Sequence, residues 1–343
     1  MSVIGVLGAG TWGTALGRML ANSGHDAVVW SALPQEIDEL NEKRVHPKLP
    51  GVKLPDQLRF TKELAEACIG KEIIIFAVPS PFIRATARAS SPLLSDGQII
   101  VSVAKGVEKE TLFTMTEVIG DELKKSECKA DVSLVALSGP THAEEVAIDL
   151  PTTIVSSCED MAMAERVQDV FMNTCMRVYT NPDIKGVELC GAMKNIIALA
   201  SGILTGLGYG DNSRAALITR GMAEITRLGI AMGCLPQTFY GLAGIGDLIV
   251  TATSVHSRNN KCGQFIGQGM SADEAVKKVG MVVEGINAIP AAVRLKKEYN
   301  VDMPIIDAVD AVINKGVLPK DVIRSLMIRE KKNEIKGFLG FDA

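Results

Sequence analysis

Two hydrophobic rhythms divide the chain. Through its first half, short β-branched runs alternate with amphipathic stretches, and residues 2–7, 25–30, 58–61, 71–78, 98–103, 132–137, 152–156 and 177–180 read as strands. Between most of them the spacing predicts helices, over 62–69, 82–94, 112–125 and 160–172. Runs such as Ile73-Ile74-Ile75-Phe76 lack polar alternation, as strands covered on both faces do, so the pattern predicts a doubly wound, mainly parallel sheet. Near Asn181-Pro182-Asp183 the rhythm changes. No convincing strand follows, and helical spacing runs over 186–207, 213–233, 273–279, 286–299, 305–315 and 320–327. Asp211 or Asn212 is a candidate cap for the second of these helices, and Pro304 and Pro319 sit at expected helix starts. The charged, then weakly apolar tail over 331–343 predicts no element.

The stretch Gly8-Ala9-Gly10-Thr11-Trp12-Gly13 lies between the first strand and a helical pattern that ends near Ser23-Gly24. Glycines at the first, third and sixth positions suit a tight turn that lets a dinucleotide's pyrophosphate reach backbone N–H groups at a helix N-terminus. The bare pattern is weak, since an ordinary glycine-rich turn shares it. Its setting strengthens it: a strand before, a helix after, Gly17 one turn on, and a second strand beyond Gly24. The expected architecture is α/β, a Rossmann-type doubly wound domain over 1–181 followed by an all-α domain over 182–343.

Charge and cysteine content narrow the function classes. The 36 basic and 40 acidic residues nearly balance without long blocks of either sign, which leaves no electrostatic footprint for nucleic acid or an anionic membrane. The seven cysteines are scattered, and none forms a Cys-x-x-Cys or Cys/His spacing, so they read as reduced thiols of a cytoplasmic protein with neither disulfide frame nor metal site. No export signal is legible at the start. Residues 189–210 are apolar enough to raise the question of a membrane span, but their Gly, Ala, Asn, Ser and Thr content fits a buried helix better.

Lys194 is the one charge in that stretch, within Gly191-Ala192-Met193-Lys194-Asn195. A buried ammonium needs a partner, a lowered pKa or both, and a lowered pKa suits an acid/base group near neutral pH; a structural ion pair fits the residue equally well. Gly241-Leu242-Ala243-Gly244-Ile245-Gly246-Asp247-Leu248 offers a carboxylate that could pair with Lys194, and Ser257-Arg258-Asn259 offers a donor fork for phosphate; a helix cap and a flexible polar loop is the bland alternative. Ligands of open α/β sheets sit beyond the strand carboxyl ends, which singles out Pro79-Ser80-Pro81, Lys105-Gly106 and Ser138-Gly139-Pro140-Thr141.

These motifs are collinear over most of the chain. With Thr141-His142-Ala143-Glu144-Glu145 and Val282-Val283-Glu284-Gly285, they resemble the bacterial-type NAD(P)-dependent sn-glycerol-3-phosphate dehydrogenases. The resemblance implies reversible reduction of dihydroxyacetone phosphate by hydride from NAD(P)H, in supply of glycerophospholipid synthesis, without a metal. It implies that Lys194 is the general acid/base, oriented with the substrate by Asn195 and Asp247, and that Lys105, Gly139 and Thr141 contact substrate. It assigns the phosphate to Ser257, Arg258 and Asn259, and the cofactor to Gly8, Gly10, Thr11, Trp12, Gly13, Lys105, Ala143, Arg258, Val282 and Glu284. A homodimer is an expectation from the resemblance alone. After the second strand the chain reads Trp30-Ser31-Ala32-Leu33, with neither an acid for the ribose of NAD nor an Arg for the phosphate of NADP; Ser31 can bond either form, and dual use is expected. The alternatives are a related two-domain dehydrogenase of another hydroxy acid and a non-catalytic nicotinamide-sensing protein.

Overall fold

The computed structural model describes residues 1–331, 333 and 334, so most of the tail lies outside the described residues. The chain forms two compact units, one of Met1–Ala104 with Met115–Ile184, the other of Lys105–Thr114 with the described residues from Lys185 onward.

The first unit is built on an eight-stranded sheet. Its strands are β1 (Val3–Leu7), β2 (Asp26–Trp30), β3 (Arg59–Thr61), β4 (Ile73–Phe76), β5 (Ile99–Ser102), β6 (Ser133–Ser138), β7 (Thr152–Ser157) and β8 (Met176–Asn181). Their order is β3-β2-β1-β4-β5-β6-β7-β8, parallel from β3 through β6. The mainly parallel sheet read from the sequence is present; β7 runs antiparallel to β6, and β8 parallel to β7. Helices α1 (Thr11–Asn22), α2 (Pro34–Lys43), α3 (Leu64–Cys68), α4 (Ile83–Ser90), α5 (Met115–Lys125), α6 (Ala143–Val146) and α7 (Met161–Met172) accompany it. All four side chains of β4 are buried, as their unbroken apolar run requires. Strand order reverses at β1, which lies between β2 and β4, so the turn after β1 opens at the topological switch point where such sheets bind ligands.

The second unit is helical, with α8 (Ile184–Gly206), α9 (Asp211–Ala231), α10 (Pro236–Phe239), α11 (Asp247–Thr253), α12 (Arg258–Gly267), α13 (Ala272–Val279), α14 (Glu284–Glu298), α15 (Pro304–Lys315) and α16 (Pro319–Met327). Helix α8 is long and apolar enough to cross a membrane by length and composition, yet it is buried on every side within this unit, including Glu188 and Lys194. The segment Lys105–Thr114 joins it although the preceding strand belongs to the sheet: Val107 enters the helical core, and the Arg294 guanidinium donates to the carbonyls of Lys109 and Glu110.

Two local readings change. Asp211 is the first helical residue of α9, not its cap; Gly210 holds the cap position without a side-chain bond, and Asp211 pairs instead with Arg214. The polar, glycine-rich stretch from Gly241 to Asn260 is a one-turn π-helix (Leu242–Gly246) followed by α11 and the start of α12, because its polar side chains are bonded inside the fold. Glycine permits the crossing of α8 with α12: a Cβ at Gly202 would stand 2.0 Å from the Asn260 carbonyl oxygen.

Helix propensity alone makes Gly202→Ala stabilising by about 1 kcal/mol. The crossing predicts the opposite, a loss of about 1–3 kcal/mol from forced backbone displacement, read as a lowered thermal midpoint. A midpoint unchanged or raised contradicts the close approach.

Candidate active site

In the helical unit two lysines converge on one buried carboxylate. Lys194 projects from the middle of α8 with only 4% of its surface exposed, among Met193, Ile197 and Ala198, which are fully buried. Its Nζ donates to Asp247 Oδ1 at 2.5 Å and to Thr251 Oγ1 at 2.5 Å. The Lys105 Nζ donates to the other carboxylate oxygen, Asp247 Oδ2, at 2.6 Å. Asp247 opens α11 directly after the π-helix, an irregular turn of the kind that recurs at functional positions and that here sets where the carboxylate stands. Thr251, one turn later, also donates to the Asp247 carbonyl at 2.7 Å.

Two ammonium groups thus share one buried carboxylate, and the electrostatics follow from that count. Burial pushes the Lys194 ammonium down to about 7; the Asp247 charge opposes the fall and the Lys105 charge adds to it. For Asp247, burial works to raise the carboxyl, but the two ammoniums outweigh it and hold the group below its usual range. Lys194 is therefore an amine that can give and take a proton near neutrality, beside a carboxylate that stays ionised.

A second chain of bonds fixes the amides. Asn195 Nδ2 donates to the Gly191 carbonyl at 3.1 Å, Asn259 Nδ2 donates to Asn195 Oδ1 at 2.9 Å, and the Gly285 amide donates to Asn259 Oδ1 at 2.9 Å. Ser257 caps α12 by accepting the Asn260 amide at 3.2 Å, and Arg258, the first residue of that helix, is exposed. Val282 is half-buried and Glu284 starts α14. The fold thus brings Lys105, Lys194 and Asp247 together and links Asn195 to Asn259, while no bond joins Arg258 to either group. Thr251 was passed over as a functional residue in the sequence; its place one turn after Asp247 on a helix is the signal that could have found it.

In the sheet unit, Gly8 adopts φ +125°, and a Cβ there would lie 2.8 Å from the Ala77 backbone; a Cβ on Gly13 would lie 1.9 Å from the Gly8 carbonyl oxygen. Gly10, between them, has no atom within 4 Å of its Cβ position. The outer glycines are required by the turn and its packing, and the middle one leaves the helix N-terminus open to a group the size of a pyrophosphate, so these residues fit a dinucleotide. Thr11 and Trp12 begin α1 half-buried, and Ala143 begins α6, which packs on α1. Thr141 Oγ1 donates to the Gly139 carbonyl at 3.1 Å. Ser31, directly after β2, is bonded to Glu36. No cluster of three or more potential metal ligands occurs among the described residues.

Comparison with known proteins gives one answer for both units. Residues 3–164 match the family model described as NAD-dependent glycerol-3-phosphate dehydrogenase N-terminus, and residues 183–324 match its C-terminal counterpart. A glycerol-3-phosphate dehydrogenase (NAD(P)+) 2 of Lactobacillus delbrueckii subsp. bulgaricus is 65% identical over 335 residues, covering 98% of this chain and 99% of that protein. A glycerol-3-phosphate dehydrogenase (NAD(P)+) of Agathobacter rectalis is 52% identical, covering 97% of this chain and 98% of that one. The crystal structure of glycerol-3-phosphate dehydrogenase from Coxiella burnetii superposes with a TM-score of 0.90 at 34% identity, over 96% of this chain and 99% of that one.

The shared carboxylate predicts opposite shifts from its two neighbours. Asp247→Asn lowers the Lys194 titration midpoint below about 7, and Lys105→Met raises it. NMR titration of labelled lysine side chains reads both, with the Lys194 signal assigned by its loss in Lys194→Met. Shifts in the same direction, or none, contradict the arrangement.

Proposed function

The chain belongs to the NAD-dependent glycerol-3-phosphate dehydrogenases, and from that premise we propose how its residues divide the reversible reduction of dihydroxyacetone phosphate to sn-glycerol 3-phosphate. The observation that carries the proposal is the buried Lys194 with a pKa near 7 on an ionised Asp247. A nicotinamide cofactor, when bound, would supply or accept the hydride at the substrate's C2. Lys194 gives the proton that the C2 oxygen needs in reduction and takes it back in oxidation. Asp247 holds the Lys194 amine in place through both protonation states, with Thr251 fixing its direction. Asn195 keeps one amide N–H beyond its bond to Gly191 and offers it to a substrate oxygen.

Arg258, exposed at the positive end of α12, and the Ser257 hydroxyl hold the phosphate, while Asn259 acts by fixing Asn195. Lys105, Gly139 and Thr141 complete substrate binding. The glycine turn cradles the pyrophosphate; Thr11, Trp12, Ser31, Ala143, Val282 and Glu284 line the rest of the cofactor. We assign the enzyme to the cytoplasm, in supply of phospholipid precursors, a placement that the seven free cysteines favour. A homodimer is the expected assembly: α16 has no fully buried side chain and leaves Met327 and the neighbouring Leu318 and Ile328 exposed, a face that a second copy would cover.

The test is loss of reduced-nicotinamide absorbance with dihydroxyacetone phosphate. Lys194→Ala lowers kcat by roughly 10²–10⁴-fold with cofactor binding kept; near-normal turnover sinks the assignment. Arg258→Ala weakens the phosphate ester by about 2–4 kcal/mol, seen as a raised KM. An unchanged KM removes Arg258 from the phosphate site.

A further inference from the structure

At the carboxyl end of β2 the chain turns through Ser31, and its hydroxyl is already committed. Ser31 is buried, donates through Oγ to Glu36 Oε2 at 2.6 Å, and accepts the Leu33 amide at 3.2 Å. Glu36 lies in the first turn of α2, where its own amide bonds the Leu33 carbonyl at 3.1 Å. The loop therefore folds back and sets a carboxylate against the end of β2, the place from which a dinucleotide-binding sheet ordinarily offers an acid directly from the strand.

A buried histidine close to the same carboxylate reaches the glycine turn. His46 is 4% exposed and hydrogen-bonds the backbone of Ala9, inside the glycine turn. Burial lowers its imidazole pKa, and the charge of Glu36 is near enough to oppose that fall. Glu36 is thus bonded to the residue that follows β2 and lies within electrostatic reach of a histidine tied to the glycine turn.

Arg44, Lys43 and Lys62 are turned to other work. Arg44 donates to the carbonyls of Pro55 and Leu58 and lies over the Phe60 ring. Lys43 pairs with Glu39, and Lys62 with Asp38. Lys48, exposed, acts on His46 against the influence of Glu36 and Glu39. The N-terminus of α2, which would favour an anion, already holds the Glu36 carboxylate.

We propose that Glu36, held by Ser31, accepts the adenosine ribose 2′-hydroxyl and repels a 2′-phosphate, so that this enzyme prefers NAD(H) to NADP(H). The proposal rests on the glycine turn as the pyrophosphate cradle. A 2′-phosphate here would face a fixed carboxylate with no donor left on Ser31, whereas a hydroxyl finds an acceptor.

Calorimetric titration of the cofactor-free protein with NADH and with NADPH tests it without reference to turnover. The wild-type protein binds NADH at least about tenfold more tightly than NADPH. Glu36→Gln keeps an acceptor for Ser31 and removes the charge; it raises affinity for NADPH and narrows the ratio, while circular dichroism stays unchanged. Equal or tighter binding of NADPH by the wild type, or an unchanged ratio in Glu36→Gln, overturns the proposal. A parallel loss of both affinities makes Glu36 merely a support for the loop and overturns it as well. Binding of neither dinucleotide removes the cradle itself, and the proposal with it.

Discussion

One buried carboxylate shared by two lysines is the interaction on which the helical unit depends. Taking an ammonium out of water costs several kcal/mol, and Asp247 offsets that cost for Lys194 only in part, because its other oxygen is bonded to Lys105. The cluster carries one positive charge more than it can neutralise. Lys194 is the deeper of the two amines, so the surplus is relieved there, by a proton that leaves near neutral pH. The fold is built to sustain this imbalance: α8 is buried on every side, and the π-helix before α11 sets Asp247 against it. The small-residue crossing of α8 with α12 brings in the amide pair of Asn195 and Asn259.

The sheet unit works by a different device, which is backbone shape. Two glycines are demanded by the turn itself, and a third leaves the N-terminus of α1 uncovered at the point where strand order reverses. Just beyond β2, the Glu36 carboxylate is held by Ser31. The lysine–carboxylate cluster and the glycine turn thus belong to separate cores.

Much of the fold was legible because strand and helix periods differ so sharply. The eight strands, including the fully buried Ile73-Ile74-Ile75-Phe76, stand within a few residues of where the apolar runs put them. What escaped were elements whose sequences look like loops: α2, with its run of Gln, Glu, Asp and Asn, and α11 with α12, whose polar residues are satisfied internally. The isolation of Lys194 could be read from its neighbours, but its partners could not be fixed by spacing. Asp247 lies 53 residues away along the chain, and Lys105 stands 142 residues before Asp247 on a segment that leaves the sheet to join the helices. The Ser31–Glu36 pair was not legible for a related reason. No acid directly follows β2 in the sequence, and the Glu36 carboxylate reaches Ser31 from the next helix.

The central claim is that Lys194 exchanges its proton near neutrality during turnover. The pH dependence of kcat/KM, measured in both directions on one preparation, tests it most directly. Reduction needs the ammonium, so its rate falls as pH rises through about 7; oxidation needs the free amine and rises over the same interval. Two limbs that both lie in the ordinary lysine range, near about 10.4, or that move in the same direction with pH, contradict the account.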